Sequence, residues 1–106
     1  IPATAQTVWH DPATGYARRS VSPPAEALRG EVIEGTLPAG ARIAYDTPPV
    51  EGLEHHLVML SGALTLTVEN TAHTLTTGDC LRYRLHGPTL FEAGPDEPAR
   101  YLLFLV

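Results

Sequence analysis

Two adjacent imidazoles, His55 and His56, are the first groups in this chain that could do chemistry. They stand in an apolar run, Leu57-Val58-Met59-Leu60, that reads as a strand. Neighbouring strand residues point to opposite faces, so the two rings cannot chelate one ion from the same strand. If His55 faces the interior, Leu57 and Met59 share its face while His56 and Val58 point away. Three roles are then open to His55. It is a buried ring satisfied by a nearby hydroxyl or carbonyl, a hydrogen-bonding partner for a ligand, or a metal ligand, which requires several converging donors. Thr89 and Phe91 lie two residues apart and share a face. Tyr83, on the strand before them, brings either a hydroxyl for a ligand or a ring for the core. Arg82 and Arg84 flank Tyr83 on the other face and read as solvated or intersubunit groups. His10 and His73 read as surface or turn residues. Cys80 reads as a small buried hydrophobe, with no neighbour that would lower its pKa. No nucleophile–base pair, phosphate-binding loop or dinucleotide fingerprint is present.

Short strands must position these groups. Leu64, Leu66 and Val68 alternate with Thr65, Thr67 and Glu69, the pattern of a half-buried strand. A tight turn at Ser61-Gly62 precedes it, and a hairpin turn at Asn70-Thr71 leads to His73. Gly78-Asp79 and Gly87-Pro88 punctuate the next turns. Upstream, residues 1–5 read as an arm, and Thr7 to His10 pairs with Tyr16 to Val21 across an Asp11–Gly15 turn. Trp9 and Tyr16 are placed to meet across that hairpin. Ala25 to Arg29 reads as a loop in preference to one helical turn. Glu31 to Leu37 and Ala41 to Tyr45 are strands, and 46–52 is a Pro-rich loop. Residues 99–106 form an apolar run suited to a strand buried on both faces or closing a barrel. Eight to ten short strands with frequent turns specify an all-β sandwich or barrel, without choosing between them.

Bulk properties bound the function. A chain of 106 residues, 43% hydrophobic and 18% charged, makes one domain with its own core. No apolar run nears the ~20 residues of a membrane span, and no signal peptide is visible. Seven basic residues against twelve acidic, a formal charge of −5, argue against nucleic-acid contact by this chain. One cysteine permits no internal disulfide and points to a reducing cytoplasm.

Leu60-Ser61-Gly62-Ala63-Leu64, then Gly78-Asp79, Gly87-Pro88 and Phe91, resembles the two core motifs of the cupin barrel. Together with residues 9–16 (WHDPATGY), Cys80-Leu81-Arg82 and Pro98-Ala99-Arg100-Tyr101, the chain is similar to the C-terminal cupin domain of XRE-family helix-turn-helix transcription regulators. The resemblance implies an RmlC-like jelly-roll β-barrel over 8–106, with 1–7 as a linker or arm. It also implies an upstream helix-turn-helix domain. The chain starts at Ile1, and its single methionine, Met59, sits inside a strand, so this reading treats it as a piece of a longer protein.

Cupin barrels usually hold a metal on two histidines and a glutamate of the first motif and one histidine of the second. Here the glutamate position, seven before Gly62, is His55. The earlier histidine positions fall in Pro48-Pro49-Val50-Glu51, and the residue after Gly87-Pro88 is Thr89. The ligand set is therefore almost absent, although His86 or Glu51 could supply a second ligand from positions the pattern does not assign. The resemblance then implies a sensor without a cofactor, which binds a small organic ligand among His55, Leu57, Met59, Tyr83, Thr89 and Phe91. It pairs as a homodimer through edge strands. The alternatives are a small metal-dependent oxygenase or isomerase, and a structural dimerisation module whose barrel is filled by Met59 and Phe91.

Overall fold

The computed structural model describes every residue except 24, 26, 27, 47 and 49–51. Ten strands run through the described residues: β1 (Val8–His10), β2 (Ala17–Ser20), β3 (Glu31–Leu37), β4 (Arg42–Tyr45), β5 (Leu53–Ser61), β6 (Leu64–Val68), β7 (Thr71–Leu75), β8 (Cys80–Leu85), β9 (Thr89–Ala93) and β10 (Ala99–Leu105). They form a six-stranded sheet in the order β1-β2-β3-β10-β5-β8 and a four-stranded sheet in the order β4-β9-β6-β7. Every pairing is antiparallel. After β3 the chain crosses between the sheets at almost every connection. The result is the all-β, jelly-roll architecture expected of the sequence.

The alternation that marks each strand also builds the core. Leu37, Leu57, Met59, Leu64, Leu66, Ala99 and Tyr101 are essentially inaccessible to solvent and meet between the sheets. Fully burying a residue such as Leu or Met is worth roughly 1.5–3 kcal/mol each. Two close approaches fix how the layers meet. The ring of Tyr101 lies over Gly35 on the adjacent strand, where an added Cβ would come within 2.6 Å of it. At Gly62 the chain leaves one sheet for the other with φ at +76°, and a Cβ would stand 2.2 Å from the carbonyl oxygen of Pro98. The Ser61-Gly62 turn is therefore a corner between sheets.

Gly78-Asp79 also has a structural task. Its backbone exchanges hydrogen bonds with Met59, at 2.9 Å each, while the Asp79 carboxylate accepts from the Thr76 amide at 2.9 Å. On the outer face, the Glu34 carboxylate joins three strands by accepting from Arg19 and, at 2.7 Å, from Arg100. The Arg100 hydrogen bond, followed by that of Arg19, holds the Glu34 carboxyl below its usual range against the opposing effect of burial.

Several expectations require correction. The β6–β7 turn centres on Glu69-Asn70, both at positive φ, one residue earlier than expected. A two-residue turn of this kind matches the strand twist and returns Thr71 to pair with Val68. β10 is buried on one face only: Ala99, Tyr101 and Leu103 point in, whereas Arg100 and Phe104 are exposed. Cys80 is exposed because it shares the outward phase of edge strand β8 with Arg82 and Arg84. Trp9 is paired directly with Arg18, which leaves Tyr16 as its diagonal neighbour. The arm includes a short 3-10 turn at Ala3–Ala5. Of the segment 25–29, the described residues carry no helix, and Glu26 and Ala27 lie outside them.

The Gly35 contact yields a stability test. Gly35→Ala forces a methyl into the Tyr101 ring and should cost about 1–3 kcal/mol in urea unfolding, the usual penalty of overpacking. Gly87→Ala meets nothing within 4 Å and should leave the midpoint nearly unchanged. Equal midpoints for the two variants would disprove the tight layer contact.

Candidate functional site

His55 and Tyr83 are cross-strand partners on β5 and β8, both on the inward phase. His55 is only 7% exposed. Its Nδ1 lies 3.2 Å from the Tyr83 hydroxyl, and the rings meet edge-on at 5.3 Å. Its other nitrogen, Nε2, is buried and has no hydrogen-bond partner among the described residues. Burial holds the His55 imidazole below its usual pKa of 6.5, and burial pushes the Tyr83 phenol well up. The pair is therefore neutral near pH 7.

This pair forms one corner of a cavity of about 350 Å³ between the sheets. That size lies at the lower end of the range of about 300–1,000 Å³ typical of small-molecule pockets. Thr89 and Phe91 join it from β9, and Thr89 is buried. The remaining wall is apolar and aromatic. Tyr16, Tyr45 and Tyr101 line it together with Ile33, Ile43, Leu53, Leu85, Leu103 and Leu105. Phe91 meets Tyr45 edge-on at 5.8 Å and stacks near Tyr101 at 5.9 Å. Six of the seven aromatic residues of the chain thus face this space, Phe104 being the exception. Burial pushes the Tyr45 phenol up to about 12 and raises Tyr16 and Tyr101 as well. All four tyrosines keep their protons and present neutral hydroxyls.

Trp9, Arg18 and Tyr45 touch both the cavity and solvent, which puts its mouth at the β1–β2 hairpin and the end of β4. The hairpin is set by the Asp11 turn. The Asp11 carboxylate accepts from the Ala13 amide at 3.1 Å and the Thr14 hydroxyl at 2.8 Å, and Gly15 takes φ at +77°. The chain then returns with Tyr16 buried and Arg18 at the rim. Arg18 is the one charged side chain among the described lining residues.

Of the six residues read from the sequence as pocket candidates, the structure brings four together: His55, Tyr83, Thr89 and Phe91. Leu57 and Met59 face inward as the alternation requires, yet they do not reach the cavity. They lie deeper along β5, at 0% and 1% exposure, in the end of the barrel filled by Leu37, Leu64, Leu66 and Ala99. Sequence reasoning missed Trp9, Arg18, Tyr45 and Tyr101 as lining residues. The only available signal was the clustering of aromatics on inward phases, which is visible strand by strand but not as one surface. His56 points outward, where its Nε2 meets the Glu54 carboxylate at 2.6 Å.

The donors do not fit a metal centre. Among the described residues lining the cavity stand one imidazole and several hydroxyls, with no carboxylate. No group of three His, Cys, Asp or Glu side chains converges anywhere among the described residues. His86 is not among the lining residues, and Glu51 lies outside those described. A protein metal site needs several ligands at fixed geometry.

No protein-family model and no curated protein matches this sequence. The fold does have clear counterparts among solved structures. A Cupin_2 domain of an XRE-family transcriptional regulator from Enterobacter cloacae is similar, with TM-score 0.78 and 21% identity over 85% of this chain and 94% of that one. An HTH_3-family transcriptional regulator from Vibrio cholerae is similar with TM-score 0.80 and 18% identity over 98% of this chain, which spans 56% of that protein. The polyketide cyclase RemF from Streptomyces resistomycificus is similar with TM-score 0.76 and 17% identity over 99% of this chain and 76% of that one. The chain therefore has the cupin, RmlC-like fold. No helix among the described residues is long and apolar enough to cross a membrane.

The buried, neutral state of His55 is measurable. Its ring should titrate below 6.5 in a ¹³C-detected pH series. Between the folded and unfolded pKa values the unfolded chain binds the proton more readily. Stability should therefore be full above the unfolded value and decline as pH falls from there to the folded one. His55→Leu should remove that part of the acid slope. A His55 midpoint at or above 6.5 would mean that the ring is not desolvated as described.

Proposed function

We propose that this domain is a regulatory sensor that binds a small organic molecule in its barrel and relays occupancy to an attached DNA-binding segment. The observation that carries this reading is the cavity itself: an aromatic, largely apolar space with one polar corner that contains a buried nitrogen without a partner among the described residues. Such an arrangement suits recognition, with apolar area for affinity and a few placed polar groups for orientation. A structural module with a filled barrel would not retain it. The likeness to a Cupin_2 domain of one transcription regulator and to a second transcription regulator supports the regulatory role. The acidic balance of the chain argues that DNA contact belongs to another segment. Relay requires a ligand that favours one arrangement of the assembly over another. A cytoplasmic homodimer joined through strand edges suits a two-half-site operator.

The likeness to RemF favours a catalytic alternative, in which His55 would move a proton. Both readings are tested by a screen of chemically diverse small molecules, read by thermal unfolding and by the emission of Trp9, the only tryptophan, at the cavity mouth. A true ligand at a hundred times its Kd should stabilise the fold by about 2.7 kcal/mol, roughly 10 °C for a domain of this size. The sensor reading expects ligands to be recovered unchanged. Steady conversion of a bound compound would favour the enzyme, and a screen in which nothing binds would refute both.

A further inference from the structure

The polar corner has a defined hydrogen-bonding sense. Tyr83 keeps its phenolic proton, and among the described residues its hydroxyl has one polar partner, Nδ1 of His55. Donation from Tyr83 to Nδ1 satisfies both groups and leaves the imidazole proton on Nε2. The opposite tautomer would turn Nδ1–H toward Tyr83 and leave the phenolic proton without an acceptor in an apolar wall. Nε2 is thus a donor in a lining residue that is more than nine-tenths buried, and it has no partner among the described residues. At the mouth stands Arg18, the single charged residue among the described lining residues. Its charge acts on Tyr16 and Tyr45, so it is felt inside the walls. The other two arginines near this sheet region, Arg19 and Arg100, are engaged with Glu34 on the outer face. Between the two ends the walls are aromatic rings and aliphatic side chains.

Building on the sensor reading above, we propose that the cavity takes a flat aromatic carboxylate carrying an acceptor oxygen at its inner end. Arg18 pairs with the carboxylate at the rim, the aromatic walls hold the ring system, and Nε2–H of His55 donates to the inner oxygen. The overall charge of −5 does not oppose this, because exposed charges more than about 10 Å away are screened at moderate salt, whereas a contact pair with Arg18 is not.

Three probes test it: 6-acetyl-2-naphthoate, 6-isopropyl-2-naphthoate, which lacks the acceptor, and 2-acetylnaphthalene, which lacks the carboxylate. Binding is read by Trp9 emission and by shifts of cavity methyl and amide resonances. The first probe should bind about tenfold more tightly than either of the others, the scale of one buried or charge-assisted hydrogen bond. His55→Leu should abolish the preference for acetyl over isopropyl and keep the preference for the acid. Arg18→Gln should do the reverse. Resonances that report fold are compared first in each variant. Long-range ¹H–¹⁵N spectra should show His55 protonated on Nε2 in the free protein, and Tyr83→Phe should release that preference. A His55 proton on Nδ1, or neutral ketone binding as tightly as the acid, would overturn the proposal while the cavity remains a binding site. If none of the three probes binds but compounds of other chemistry do, this ligand class is wrong and the sensor reading survives. If nothing binds, both fall.

Discussion

The structure turns on a corner where no side chain fits. At Gly62 a Cβ would collide with the Pro98 carbonyl, and the backbone adopts a left-handed conformation costly for other residues. That corner sends β5 into one sheet and β6 into the other, although they are separated by only Gly62 and Ala63. If the turn closed as a hairpin, β5 and β6 would pair, and His55 and Phe91 would belong to the same layer. Because it opens, β5 carries His55 on one wall and β9, paired with β6, carries Thr89 and Phe91 on the other. The cavity is the space between walls that this glycine keeps apart. Tyr101 over Gly35 seals the layer beside it, because a ring can cross a strand closely only where there is no Cβ.

The barrel is filled at one end and open at the other, and the same strands do both. Along β5 the inward positions run His55, Leu57, Met59, from cavity lining to complete burial. Short aliphatic chains on β6 and β10 close the deep end, whereas the other end is walled by tyrosines, of which Tyr45 meets Phe91 edge-on. Six aromatic residues around one open volume would be a poor design for stability alone, since the same rings would gain more by filling it. Nε2 of His55, unpaired among the described residues, carries a further cost, about 1–3 kcal/mol for an unsatisfied buried polar atom. Both costs fall in the same place, which is why recognition explains this end better than packing does.

Much of this was legible from one sequence. Strict alternation predicted β6 closely, residues 31–37 read as extended, and the cupin resemblance pointed His55, Tyr83, Thr89 and Phe91 into the barrel. Alternation tells which way a residue faces but not how deep it lies, so Leu57 and Met59 were assigned to a cavity they do not reach. It also tells nothing about which strands become neighbours. Arg18 and Trp9 are about forty residues away from His55 in sequence, and only the order β1-β2-β3-β10-β5 brings them to the same space. Apolar runs misled in the other direction. The stretch of residues 99–106 suggested a strand buried on both faces or closing a barrel; it is a central strand of a two-layer fold, with one face in the core and one outside.

The position of the mouth connects the cavity to the start of the chain. Trp9 lies on β1, a three-residue edge strand that follows the arm with one ladder neighbour, β2. Short edge strands with a single neighbour sit at the low end of local stability. The Asp11 turn holds one end of this hairpin, and the other is closed by the Ser20 amide donating to the Thr7 carbonyl at 2.9 Å. An occupant that touches Trp9 and Arg18 would add contacts to the least anchored part of the six-stranded sheet while leaving the filled end unchanged. The free energy of binding would then be coupled to the order of the segment leading into the barrel, and a differential effect of that kind is what a two-state relay requires.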